Sequence, residues 1–214
     1  MTGVAPPRLR VPYITACSEE TVSLPLAFVP DPGATDGMRL SYADAIPEDF
    51  HFGVLWARQG QQRGGRPEWK AVNCFRQRRC MTRLLCQVCA RSATGPDGRV
   101  SWLPADDPDN DPARKGYTNA PPTCADCIPE AVSTCPRLRR GASVHMVGHT
   151  EPYGVLGNLL RPSHGTIITT ESQSVIPLDA FHRLEYALAV QLLVTLDDLE
   201  PAPRPLPRGP VKIP

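Results

Sequence analysis

The sequence predicts an α+β fold in which a cysteine-rich centre is flanked by short strands and closed by a C-terminal amphipathic helix. Short runs rich in β-branched and aromatic residues, bounded by Pro- and Gly-rich turns, recur on both sides of the centre. Seven of the eight cysteines fall between residues 69 and 141. One stretch near the end carries leucines at helical spacing.

The totals bound what such a chain can do. Proline supplies 25 of 214 residues, more than twice its usual share of about 5%, so much irregular chain surrounds the folded part. A formal charge of +1 leaves no global field to recruit nucleic acid or membrane, and only local charge can matter. No apolar run approaches the roughly 18–20 residues of a membrane span, so no membrane partner is expected. The opening "MTGVAPPRLRVPYITACSEE" lacks the apolar stretch of about 7–15 residues that a secretory signal needs. A cytoplasmic location follows as an expectation. In that reducing compartment eight cysteines favour metal or redox chemistry over a disulfide framework.

Residues 1–68 contain the strand-like runs "VSLPLAFV" and "HFGVLWA", separated by the turn-rich "PDPGATDG" and followed by "QGQQRGGRP". Residues 69–141 hold the cysteines and most of the clustered arginines. Residues 142–200 read as three strands, "ASVHMV", "YGVLGNLL" and "GTIITT", and then a helix from about Asp179 to Leu199. In that helix Phe181, Leu184, Leu188, Leu192, Leu196 and Leu199 recur at steps of three and four, with Asp179 as N-cap. Residues 201–214, "PAPRPLPRGPVKIP", carry six prolines and read as an extended tail. Its "RPLPR" resembles the ligands of aromatic-grooved proline readers. The four stretches read as one unit overall.

Cys86 and Cys89 form one CxxC, and Cys124 and Cys127 form another, 34 residues further on. A CxxC can close a tight knuckle that aims two sulfurs at one point, and two knuckles supply the tetrahedral thiolate set that structural zinc prefers. The intervening length exceeds the common ribbon spacing of about 15–20; the excess is the loop-like "PADDPDNDPARKGYTNAPP". An iron–sulfur cluster or a redox dithiol would use the same residue type. Cys135, eight residues after Cys127, stands as a competing ligand on a helix starting near Pro129. Cys74 and Cys80, with His145 and His149, form a candidate second site. Cys17 reads as a core residue.

The stretch "RRCMTRLLCQVCARSATGPDGRVSWL" followed by "CADC" resembles the zinc-bearing treble-clef scaffold of HNH-type nucleases, over about residues 76–140. It also looks like uncharacterised actinobacterial proteins that share this arginine-and-cysteine core. The resemblance implies a knuckle, a β-hairpin, a connecting segment and a second knuckle at a helix start around one zinc. It breaks at the chemistry. The hairpin strand of such nucleases carries a catalytic His, whereas here it reads "GRVSWL", and no histidine occurs between His51 and His145. Ser101 alone lacks the neighbouring base that makes a nucleophile. A catalytically silent scaffold is the expectation.

Arg76, Arg78, Arg79 and Arg83 flank the first knuckle, and Arg137, Arg139 and Arg140 follow the second. On a helix Arg76, Arg79 and Arg83 share a face. From residue 60 to 100 nine Lys and Arg stand against Glu68 and Asp97. Clustered arginine on a zinc scaffold is the footprint of phosphate contact. The acidic "DDPDND" (Asp106, Asp107, Asp109, Asp111) stands between the two groups and could cover them instead. The function expected is a zinc-stabilised binding module for nucleic acid or a protein partner. The alternative is a metal-dependent enzyme using His145 and His149, with Glu151, His164, Glu171, His182 and Glu185 as further acid–base candidates.

Overall fold

The C-terminal third builds the sheet on which the rest is assembled. The computed structural model describes residues 10–105 and 116–202, a mixed α and β structure that is mostly strand. The acidic stretch 106–111 and the tail from residue 203 lie outside the described residues. In order, the strands are β1 (Thr15–Cys17), β2 (Leu26–Pro30), β3 (Met38–Tyr42), β4 (Phe50–His51), β5 (Val54–Trp56), β6 (Pro67–Val72), β7 (Val100–Trp102), β8 (His145–Ser163), β9 (Thr166–Pro177) and β10 (Ala187–Pro201). The helices are α1 (Cys74–Thr82), α2 (Ile128–Thr134) and the single turn α3 (Phe181–Leu184). Among the described residues no helix is long and apolar enough to cross a membrane.

The main sheet runs β4-β5-β10-β8-β7, with β9 also on β8. β10 pairs antiparallel with β8 from Ala187 opposite Leu159 to Pro201 opposite His145, and parallel with β5. β1–β6 and β2–β3 form two-stranded sheets. The predicted strands "ASVHMV" and "YGVLGNLL" are largely one strand, β8. Gly154 and Gly157 let it lie close to its neighbours: a Cβ on Gly157 would stand 2.6 Å from the Leu188 carbonyl oxygen.

The predicted C-terminal helix is overturned. Residues 187–201 are strand, and only Phe181–Leu184 turns helically. The physical reason lies in the residues between the leucines. Ala187, Ala189 and Val194 are buried in the core that holds Trp56, Trp102 and Ile176, while Leu188 is buried in a second core with Leu40, Tyr42 and Leu55. A strand covered on both faces needs an unbroken apolar run, and leucines in such a run fall at helical spacing by chance.

Beyond β5, the free edge of β10 is closed by other means. Gln77 of α1, fully buried, donates from Nε2 to the Leu192 carbonyl (2.9 Å) and accepts the Leu192 amide on Oε1 (2.9 Å). It thus imitates a neighbouring strand. Thr118 repeats the pattern with Val194 through two backbone bonds of 2.8 and 3.0 Å. Replacing Gln77 by Leu leaves a buried amide and carbonyl unpaired. Stability should fall by about 2–4 kcal/mol, read as a lower urea midpoint at unchanged slope; a loss under 0.5 kcal/mol would show that the edge is held otherwise.

Candidate metal centre

α1 delivers the chain to the first knuckle. Asn73 caps it, accepting the Arg76 amide at 3.0 Å, and the helix ends at Thr82. In the knuckle Cys86 donates its amide to the Arg91 carbonyl (2.7 Å) and its own carbonyl accepts the Ala90 amide (2.8 Å). The reversal puts Ala90 in the left-handed region at φ 62°. A hairpin follows: Leu85 pairs with Ser92 and Thr94 with Val100 around the Gly95–Gly98 turn. The second knuckle opens α2, with Cys124 accepting the amides of Cys127 (2.9 Å) and Ile128 (3.2 Å). Pro129 sits in the first turn of α2, where its missing N–H costs nothing.

Gln87 ties the knuckles together. Its amide donates to the Pro122 carbonyl (2.9 Å), and its side chain donates to the Pro121 carbonyl (3.0 Å) and Thr123 Oγ1 (2.9 Å). The four sulfurs of Cys86, Cys89, Cys124 and Cys127 consequently lie within 4.8 Å of one another, and Cys89 and Cys124 are 3.7 Å apart. A tetrahedron with metal–sulfur bonds of about 2.3 Å has edges of about 3.8 Å. All four cysteines are free and three are buried. The residues present fit a single metal ion.

The electrostatics suit a cation. Burial pushes the Cys127 thiol up, and the neighbouring sulfurs of Cys124, Cys86 and Cys89 push it further. Burial also raises Cys89, but the Arg91 amide and guanidinium outweigh it and, with Cys127 and Cys86, bring that thiol down to about 6. Four thiolates so close together repel, and only a bound cation lets all of them ionise. A divalent ion with four thiolates keeps two negative charges, and two guanidiniums lie beside the sulfurs, each also paired with a carboxylate: Arg10 with Glu130 (3.7 Å) and Arg91 with Asp126 (3.1 Å). Arg10 Nη1 lies 3.8 Å from Cys127 Sγ, and Arg91 bonds Cys89. Neither arginine was legible as part of the centre; Arg91 had the signal of lying two residues past Cys89, while Arg10 is 117 residues from its partner.

The remaining candidates are dispersed. Cys135 ends α2 outside the group. Cys74 donates to the Ala57 carbonyl (2.8 Å), with burial pushing its thiol up to about 11. Cys80 is fully buried beside the centre, its thiol pushed up to about 12 by burial. His145 and His149 do not meet across a turn: both lie on β8, four residues or roughly 13 Å apart. Among the described residues no second group of three or more metal-ligating side chains comes together. His149 reaches only Glu151 (3.1 Å), Glu171 pairs with Arg183 (2.6 Å), and Glu185 accepts from Thr35.

The arginines divide into two kinds. Arg76 is 3% exposed and grips Glu20, with Nη1 to Oε1 at 2.7 Å and Nη2 to Oε2 at 2.9 Å. It cannot reach a phosphate, so its place in the predicted interface is corrected to a structural one. Arg78 is partly buried with its guanidinium over the Trp56 ring, 4.4 Å from the centroid. Arg79, Arg83, Arg137, Arg139 and Arg140 are exposed. Comparison with protein-family models, curated proteins and solved structures found no match.

Proposed function

We propose that the chain is a zinc-stabilised, treble-clef-like binding module that contacts nucleic acid. The observation that carries this reading is the pair of knuckles around one compact four-sulfur centre, with exposed arginines leaving both of them. Zinc suits the donor set because soft thiolates at tetrahedral spacing favour it, and sulfurs this close leave room for one ion rather than a multi-iron cluster. Four thiolates also fill the coordination sphere, so the ion supplies structure rather than an activated water.

Arg83 precedes Cys86 by three residues, and Arg137, Arg139 and Arg140 follow α2, a helix of seven residues or about 10 Å. Both groups therefore project from the same centre, with Arg79 one turn before Arg83. Phosphate contacts of this kind carry affinity without sequence preference.

The test is binding of labelled duplex DNA and single-stranded RNA across a salt series. The logarithm of affinity should fall linearly with the logarithm of salt, and Arg79→Gln with Arg83→Gln should shallow the slope by about 2. No binding at low salt would refute the nucleic-acid reading and leave a protein partner for the same surface.

A further inference from the structure

Trp69, on β6, is a ring that the fold leaves unused. It is 56% exposed, whereas Trp56 and Trp102 are 2% and 1% exposed. Those two donate their Nε1 hydrogens to the carbonyls of His51 (3.1 Å) and Ala120 (2.7 Å), and Trp56 also lies under the Arg78 guanidinium. Among the described residues the Trp69 ring meets no other ring or cation, and its Nε1 hydrogen has no acceptor.

β6 presents this ring by leaving its ladder. It pairs with β1, Thr15 opposite Val72 and Cys17 opposite Pro67. β1 takes two steps between those partners and β6 takes five, so residues 68–71 bulge out of the pairing, and all four are exposed. Bulges re-aim side chains at sheet edges and beside functional sites.

Unpaired cations surround it in the chain. Residues 60–83 carry seven Lys and Arg against Glu68 alone. Glu20 holds Arg76, and Arg78 lies on Trp56. The other five, Arg63, Arg66, Lys70, Arg79 and Arg83, are exposed and pair with no carboxylate among the described residues. Glu68 and Glu19, the latter lying over Gly64 and Gly65, stand against them. β1 joins this strand to the metal centre. Tyr13, two residues before β1, donates its amide to the Val88 carbonyl of the first knuckle (3.1 Å), and its hydroxyl accepts from Arg79 Nη1 (3.2 Å). Trp69 and Arg79 are thus both exposed along the same short strand. Resting on the nucleic-acid reading above, we propose that the strand bound is single and that Trp69 stacks on one of its bases. Cations attract either form through phosphate, but an indole covers a base only where that base is unstacked, and a duplex keeps its bases stacked.

The experiment uses the full chain with oligothymidylate, oligouridylate, a DNA duplex of equal length and inorganic polyphosphate. Trp56 and Trp102 are buried, so the fluorescence that acrylamide reaches belongs to Trp69. Both oligonucleotides should quench it and shield it from acrylamide, and polyphosphate should bind without doing either. The ratio of the two oligonucleotide affinities separates RNA from DNA. Trp69→Ala should weaken oligonucleotide binding about tenfold, the loss of roughly one stacked base, with melting and salt slope unchanged. Trp69→Phe should restore most of the affinity. Arg79→Gln with Arg83→Gln shallows the slope instead, so losing a ring and losing a cation read differently. Salt-sensitive oligonucleotide binding that Trp69→Ala leaves intact, or duplex binding as tight as single-strand binding, overturns the stacking while the nucleic-acid reading stands. No binding of any nucleic acid overturns both and leaves the surface to a protein.

Discussion

Cys86→Ser should strip the bound metal and unfold the middle of the molecule. Structural zinc contributes about 10 kcal/mol or more in small modules, which is comparable to the entire stability of most domains. Here the ligands are not peripheral. Cys86, Cys124 and Cys127 are buried in the same core as Trp102, Val147 and Leu192, so losing the ion leaves repelling or desolvated thiols inside the main packing cluster. Metal content by mass spectrometry should fall from one ion per chain to none, with the melting transition lowered by more than 10 °C or lost. Cys135→Ser should retain both, because Cys135 stands outside the ligand group. Full metal content and unchanged melting in Cys86→Ser would refute the four-cysteine centre; loss of metal in Cys135→Ser would move one ligand. Chelation under mild denaturant should reproduce the Cys86→Ser result in the wild type and be reversed by added zinc.

The cysteine set could be read from the sequence because each CxxC is a local device: two residues fix the knuckle, and pairing the knuckles needs only that they be two. What surrounds the centre is set by partners far along the chain. Arg76 looked like a surface cation because Glu20, 56 residues away, carries no pattern announcing that it will be buried. The C-terminal stretch looked helical because Leu188, Leu192 and Leu196 are spaced by four. Its strand character depends on being covered by two different cores, which no periodicity within the segment encodes. The single long strand β8 was read as two, parted at the polar "GHTEP" of residues 148–152. Its continuity comes from β10, which pairs with it from end to end, and Gly157 answers the close approach of Leu188. The Phe52–Gly53 turn shows the converse: its sequence argues against the left-handed conformation it adopts.

The buried ion pair should produce the second large effect. Glu20 is 1% exposed and accepts from both Arg76 Nη atoms, from the Cys17 amide (3.0 Å) and from Asn73 Nδ2 (3.0 Å). Arg76 also donates to the Thr15 carbonyl at 2.8 Å. The pair thus joins α1 to β1 and to the cap of its own helix. Removing one partner of such a pair costs about 3–5 kcal/mol, because the other charge remains buried. Arg76→Met should therefore lose that amount at pH 7 by urea unfolding, and Glu20→Gln should lose at least as much, since it strands the guanidinium.

The pH dependence separates an ion pair from simple packing. Burial raises the Glu20 carboxyl, but the Arg76 guanidinium, the Cys17 amide and Asn73 outweigh it and hold it below its ordinary 4.5. A carboxyl depressed by folding contributes stability that is complete above the unfolded value and lost as the pH falls through about 4.5 toward the folded one. In the wild type, acid converts the pair into a buried arginine beside a neutral acid; in Arg76→Met that arginine is absent. The gap between the two proteins should hence narrow from its full size at pH 7 as the pH falls below about 4.5. The acid sensitivity of the thiolate centre cancels in this difference, because both proteins share it. A gap that stays constant with pH would show that Arg76 acts through the packing of its aliphatic stem rather than through its charge.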